Sequence, residues 1–387
     1  MKYYLIFSLL LLLAFSCQND KDVKYSITSQ DSSYKKAAEF DYNLKFKYTS
    51  NIKVENKIDY KLITLYNPWQ KGEKWISYLL YPKNAKPDTS WPKTDFIIPV
   101  PVDKIAVVAA SSIGFIEELH QLSKVKAISK RKFIYNNQIR HNVDNGDVFE
   151  IISGERVNIE HLLASNSQLL IQTPFSSEIN QDKKVIDAGI PVVYNCDWLE
   201  TNPLGRAEWI KFISLFLCKE RMADSVFTSI ENKYHSLKNF ASTLDTNVDF
   251  LVGGLYKDVW YMPAGGSYKA FLFNDAATNY SWKHSISIAS LPLSIESVIK
   301  EQLNADYWIE APYKTYEELE ASNSRYVIFK AFKNKRVYHF LKQARSDGAN
   351  NYWERGVCRP DEVLSDLINI FHSQDYNSNM YYYEELK

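Results

Sequence analysis

Asn158-Ile159-Glu160-His161-Leu162-Leu163-Ala164-Ser165-Asn166-Ser167-Gln168-Leu169-Leu170-Ile171 is the stretch on which the fold turns. It reads as a cap residue, a glutamate in the first helical turn, about two turns of helix and then a buried strand. Asn is a good N-cap because its side chain satisfies orphan backbone N–H groups. A glutamate in the first turn is favoured by the helix dipole and points away from the core. The same design returns at Ser294-Ile295-Glu296, in a run that ends in Asp306-Tyr307-Trp308-Ile309. The two glutamates are 136 residues apart. That spacing predicts two similar α/β lobes, each showing one glutamate to solvent. Taken alone, each copy also fits an ordinary helix start.

Outward from the first copy, a strand at 169–172 leads through Thr173-Pro174-Phe175 into a helix over 176–187. Gly189-Ile190-Pro191-Val192-Val193-Tyr194 then reads as another strand. Upstream, Lys104-Ile105-Ala106-Val107-Val108-Ala109-Ala110 is a continuous apolar run, as in a strand buried on both faces. Ser111-Ser112-Ile113-Gly114 reads as the turn after it, and Phe115–Leu122 as a helix. Short apolar strands alternating with helices argue for a parallel-sheet α/β fold.

Downstream, Pro203-Leu204-Gly205 precedes a helical pattern from about Arg206 to about Ser242. Ala223, Val226, Phe227, Ile230, Tyr234, Leu237 and Phe240 keep its spacing, and no proline interrupts it. A helix of that length spans on the order of 50 Å, which predicts a rigid strut between two lobes. The α/β pattern resumes at Asp249–Gly254. The sequence predicts helices near 270–274, 294–303 and 315–322, and strands at 307–310 and 336–340. Arg359-Pro360-Asp361-Glu362 opens a last helix to Phe371, with Pro at its first position and acids in its first turn. Residues 373–387 are rich in Tyr and Asn and read as a loose tail. Before the lobes, Tyr60–Tyr66 and Lys74–Tyr81 read as a hairpin joined by a long turn, followed by a proline- and lysine-rich loop at 82–96.

The N-terminus predicts an address. Lys2 is followed by the apolar stretch Tyr3–Phe15, then Ser16-Cys17 and a polar run. Thirteen residues are too few to span a bilayer but suit a signal-peptide core. A small residue before a cysteine at its end resembles a bacterial lipobox, in which Cys17 becomes the lipid-modified first residue. Plain secretion with an incidental cysteine is the other reading. Residues 18–41 read as a tether. About 370 residues follow the signal, enough for two or three lobes.

The 46 basic and 46 acidic residues cancel, leaving no electrostatic footprint for nucleic acid. Cys196, Cys218 and Cys358 form no CxxC pair and signal neither a disulfide framework nor a zinc site. None of the seven His lies four residues from another, so no metal site is predicted. No G-x-S-x-G, phosphate loop or dinucleotide fingerprint is present, so no enzyme is predicted. Aromatic residues make up 14% of the chain, enough to line a cleft for a bulky ligand as well as a core.

Between Ile105 and His372 the chain resembles the iron-siderophore and cobalamin substrate-binding lipoproteins of ABC importers. The resemblance rests on Ile105–Ala110, Asn158-Ile159-Glu160, Gly189–Val193 and Pro203-Leu204-Gly205-Arg206-Ala207-Glu208-Trp209. It continues in Trp260-Tyr261-Met262-Pro263-Ala264-Gly265-Gly266-Ser267, Leu291–Glu296, Lys333–Tyr338 and Tyr352-Trp353-Glu354-Arg355-Gly356. It implies two Rossmann-like lobes with mostly parallel sheets, over 99–204 and 244–372. One long helix over 205–243 bridges them, and a β-hairpin extension occupies 42–98. A monomer of this kind binds a chelate, haem or corrinoid between the lobes, with no covalent cofactor besides lipid. In such proteins one glutamate per lobe docks onto arginines of the permease, and the matching positions are Glu160 and Glu296.

Ligand contacts are expected from loops at the C-terminal ends of strands. Ser111, Ser112, Thr173, Phe175, Asp197 and Trp198 are the candidates of the first lobe. Trp260, Tyr268, Trp282 and Arg345 are those of the second. Aromatic faces suit flat or macrocyclic ligands, and Arg206 or Arg345 suits an anionic chelate. Two other functions fit the same chain: a surface-exposed haem or chelate capture lipoprotein with no permease, and a membrane-tethered α/β enzyme.

Overall fold

Strand β1 (Ile52–Asn56) pairs antiparallel with β2 (Lys61–Tyr66), β2 antiparallel with β3 (Lys74–Pro82), and β3 parallel with β4 (Phe96–Val100). The computed structural model describes residues 42–154 and 156–387. The signal segment, Cys17 and the tether therefore lie outside the described residues. The expected hairpin is the centre of this four-stranded sheet. β4 escaped the sequence reading because it carries Pro99, which a sheet tolerates at an edge, and β4 is the edge strand. The sheet is no appendage. Fully buried Tyr78 sets its ring 6.2 Å from Phe212 and 5.7 Å from Phe216. Lys61 Nζ meets Glu220 Oε1 at 2.6 Å, with both side chains almost wholly buried.

The first lobe is built on β5 (Ile105–Val107), and helix α1 (Ala110–Glu118) follows it. The strand is shorter than its apolar run. The chain turns into the helix at Ala110, so Ser111 and Ser112 lie in the first helical turn and not in a loop. Next come β6 (Val125–Ile128), β7 (Phe149–Glu150), the small ladder β8 (Ile152–Ser153) with β9 (Arg156–Val157), and α2 (Ile159–Ala164). Strands β10 (Leu169–Gln172) and β11 (Val192–Tyr194) complete a parallel sheet of order β11-β10-β5-β6-β7. Ile171 sits between Val107 and Val193 in its register.

The single strut is two helices, α3 (Pro203–Leu217) and α4 (Glu220–Ala241). Cys218 ends α3 in a left-handed conformation, φ 51° and ψ 49°. Nothing in the apolar spacing announces this break, because one left-handed residue costs only about 1–2 kcal/mol. Every residue of α3 is buried, as expected of a helix with neighbours on all sides. At 22 residues α4 is about 33 Å long.

The second lobe is less regular than the first. β12 (Phe250–Val252) is followed by β13 (Leu255–Tyr256), β14 (Val259–Met262), α5 (Tyr268–Asp275), β15 (Leu291–Leu293), α6 (Ile295–Gln302) and β16 (Tyr307–Ile309). β12 and β16 are parallel, and Val337 adds a bridge to Trp308. β13, β14 and β15 form an antiparallel ladder. β17 (Tyr338–His339), α7 (Asn351–Glu354) and α8 (Pro360–Phe371) follow. The tail is not loose: β18 (Glu384–Glu385) pairs with β17, and Tyr382 and Tyr383 are fully buried.

The lobes meet along a seam. Glu354 on α7 accepts the backbone N–H groups of Tyr135 at 2.6 Å and Asn136 at 2.9 Å. Arg140 Nη2 meets Asp347 at 2.6 Å, and Arg355 Nε meets Glu118 at 2.9 Å. Gly114 is required here, since a Cβ on it would lie 2.2 Å from the Glu354 carbonyl oxygen.

Candidate functional site

Charged side chains from both lobes converge where the parallel strands end. Asp197 follows β11 and is 1% exposed. Its Oδ2 accepts from Arg206 Nε at 3.1 Å and its Oδ1 from the Ser111 hydroxyl at 3.3 Å. Burial pushes its carboxyl up, against the pull of the Arg206 charge. Burial likewise opposes the Arg206 charge, and Asp197 and the neighbouring ring of Tyr268 outweigh it. The guanidinium stands 4.8 Å from the centre of the Tyr268 ring, a stacking that suits the flat arginine head.

One residue further along α5, Lys269 carries the second cation. Its ammonium donates to Glu310 Oε2 and lies 5.2 Å from the ring centre of Trp353, 5.8 Å from Phe340 and 5.9 Å from Tyr352. Burial works against its charge, and Glu310 more than offsets that, so its pKa is raised. Glu310 directly follows β16, is 6% exposed and has a φ of 55°. A bulky residue held at positive φ is costly and tends to mark function. Its Oε1 accepts the Tyr383 hydroxyl at 3.1 Å. A pocket lined by Arg206, Tyr268, Leu272, Tyr352 and Val357 has room for about one water molecule. The Tyr268 hydroxyl is buried there without a hydrogen-bond partner, the kind of orphan that a ligand or water satisfies.

Of the expected ligand residues, Ser111, Asp197, Arg206 and Tyr268 are brought together. Thr173 directly follows β10, with its hydroxyl oxygen buried and unpartnered. Phe175 is 76% exposed and its ring lies 5.9 Å from Trp198, whose indole N–H donates to the Pro174 carbonyl at 3.1 Å. These rings form an exposed aromatic rim on the first lobe. Four others are placed elsewhere. Ser112 is wholly buried and accepts from Asn195 Nδ2 at 3.0 Å. Trp260 is a core residue because its indole N–H finds the Val252 carbonyl at 2.8 Å and its ring packs on Trp308, Tyr326 and Phe329. Trp282 lines a separate recess with Ser297 and Lys300 of α6. Arg345 is spent on the seam, donating to the Tyr135 carbonyl at 3.0 Å and to Asn137. The sequence reading missed Lys269, Glu310, Tyr352 and Tyr383. Glu310 had a signal, as the last residue of the strand predicted at 307–310; Tyr383 had none.

Each repeated glutamate opens its helix as expected. Asn158 caps α2 by accepting from the His161 amide at 3.1 Å, and Ser294 caps α6 by accepting from the Ser297 amide at 3.2 Å. Glu160 and Glu296 are both exposed. Glu296 meets Arg325 Nη1 at 2.9 Å, and hydrogen bonds from its own amide and from Ser294 hold its carboxyl below the ordinary range. In both lobes a small antiparallel ladder, β8–β9 or β14–β15, leads directly into the capped helix.

Among the described residues no cluster of His, Cys, Asp or Glu is arranged to hold a metal ion, and Cys196 and Cys358 are buried free thiols. No described helix is long and apolar enough to cross a membrane.

A family model described as periplasmic binding protein matches residues 105–344, more than half of the chain. A Methanocaldococcus jannaschii protein described as the uncharacterized lipoprotein MJ0878 is 26% identical over 392 residues, covering 93% of this chain and 89% of that protein. A periplasmic heme binding protein from Pseudomonas aeruginosa superposes with a TM-score of 0.55 at 13% identity, over 74% of this chain and 98% of its own. The periplasmic vitamin B12 binding protein BtuF of Vibrio cholerae gives 0.51 at 13% identity, over 72% and 100%. At these identities the two structures establish a shared fold.

Proposed function

Because the chain belongs to the periplasmic binding protein family, we propose that it is the substrate-binding lipoprotein of an ABC importer. In this reading it captures an iron-siderophore, cobalamin-like or related chelate between its lobes and delivers it to a membrane permease. The family is one of binding proteins, and the chain is not an enzyme. The observation that carries the ligand class is the pair of cations, Arg206 and Lys269, each set against aromatic rings, together with the exposed rings of Phe175 and Trp198 on the first lobe. Cations suit the carboxylate, catecholate or phosphate arms of a chelate, and ring faces suit its flat or macrocyclic body. The heme and vitamin B12 bound by the two structural relatives are ligands of that kind.

Envelope location with lipid on Cys17 fits the Ser16-Cys17 junction. It is supported by the lipoprotein description of a relative aligned over 93% of this chain. Docking through Glu160 and Glu296 is supported by their exposure and by their parallel settings on capped helices. Charge-assisted contacts orient such a docking without a large apolar patch.

Native mass spectrometry of the protein isolated from its own membranes tests the ligand. A bound species with the mass of a metal chelate, haem or corrinoid is expected, and a different class of small molecule would overturn the assignment. Changing both Glu160 and Glu296 to Lys should abolish uptake and leave the bound species in place. Unchanged uptake would refute the docking role.

A further inference from the structure

The final residues, which lie beyond the part of the chain that the family model covers, are built into the cleft. Asp366 on α8 accepts the backbone N–H groups of Tyr381 at 2.7 Å, Tyr382 at 2.6 Å and Tyr383 at 3.2 Å. Gln343 holds the Tyr381 carbonyl at 2.9 Å, and the Leu386 amide donates to the Val337 carbonyl at 2.9 Å. The strap so fixed places the Tyr382 hydroxyl 2.7 Å from Glu362 and the Tyr383 hydroxyl 3.1 Å from Glu310. Tyr383 has no exposed surface, and its ring stands edge-on to Tyr352, which itself lines the pocket beside Arg206.

The two oxygens of Glu310 are therefore divided between two donors, Lys269 from α5 and Tyr383 from the strap. We propose that Tyr383 is a positioning residue of the ligand seat: its hydroxyl holds the strained Glu310, Glu310 aims Lys269, and the C-terminal strap thereby sets how the cleft presents its second cation. The proposal rests on the reading of the cleft as the seat of an anionic ligand. Without the hydroxyl, Glu310 Oε1 is a buried acceptor with no donor, and the carboxylate turns to find one. Lys269 follows it, because nothing else described offers that ammonium an ion pair. When a ligand anion takes the ammonium, Tyr383 keeps Glu310 satisfied, so Lys269 is released at lower cost.

The test uses the full chain with lysine labelled at 15Nζ. The Lys269 signal is identified by its loss in Lys269→Arg. Tyr383→Phe, which keeps the ring, should move that signal, and Glu310→Gln should move it further. Tyr376→Phe, in the same segment but paired with Ser365, should leave it unmoved. Haemin, cyanocobalamin and a ferric tris-catecholate are then titrated by tryptophan fluorescence. Whichever of them the wild type binds should bind about tenfold more weakly to Tyr383→Phe, the size of one charge-assisted hydrogen bond. A Lys269 signal indifferent to Tyr383→Phe overturns the proposal, and so does a moved signal with unchanged affinity. If the wild type binds none of the three probes, the assigned ligand class fails, while the signal still decides whether Tyr383 positions Lys269.

Discussion

Asp197 and Arg206 form a buried ion pair, 1% and 8% exposed, and such a pair is costly to break from one side. Asp197→Ala leaves the guanidinium buried without a counter-ion. It should destabilise the fold by about 3–5 kcal/mol in urea unfolding. Replacing both residues by apolar ones of similar size should cost much less. Glu354 presents the opposite case. Burial pushes its carboxyl up to about 8, although the amides of Tyr135 and Asn136 pull it down; Glu117 adds to the rise and Arg345 lessens it. The ordinary value is 4.5, so between that pH and 8 the folded chain holds a proton that the unfolded chain has released. Glu354 therefore makes stability fall as pH rises through this window, by on the order of a few kcal/mol in total, and adds no further change above it. Glu354→Gln keeps an acceptor for only one of the two amides, which costs stability at every pH, but it removes the titrating group and should flatten that slope. Urea midpoints at pH 5, 6.5 and 8 read both outcomes.

At the scale of elements, the break between α3 and α4 turns on one residue. Cys218 adopts a conformation that glycine takes without cost. Cys218→Gly should leave the melting temperature unchanged or raise stability by up to about 1 kcal/mol, whereas Cys218→Val, which is β-branched, should lower it by more. A fall with glycine and none with valine would show that the thiol's contacts outweigh the backbone. This break also marks where the sequence stops being legible. The strands at 169–172 and 192–194 and the caps Asn158 and Ser294 are local patterns, and each is present in the structure. The break rests on the backbone conformation of one residue, and the edge strand carrying Pro99 and the docked tail are settled by partners distant in the chain. The tail reads as loose because tyrosines and asparagines are polar, yet its groups are satisfied by Asp366, Glu362 and Glu310, up to 73 residues away. The cleft divides the same way. Arg206 and Tyr268 were found through strand ends and family motifs. Lys269 was not, because its meaning comes from Glu310, 41 residues later.

For the whole molecule, the four-stranded sheet, the helix pair and the seam bind both lobes into one body. Such a body should change shape little on taking cargo, and what closes over the ligand should be side chains at the rim. Cargo is expected at the C-terminal strand ends, against Arg206, Tyr268 and Lys269. A crystal structure of the protein with the small molecule it carries from its own membranes tests this most directly. The ligand's anionic group should lie within hydrogen-bond distance of Arg206 or Lys269, with its body against Phe175 and Trp198. A ligand seated elsewhere, for instance in the recess of Trp282 beside α6 with the Lys269–Glu310 pair undisturbed, would contradict it.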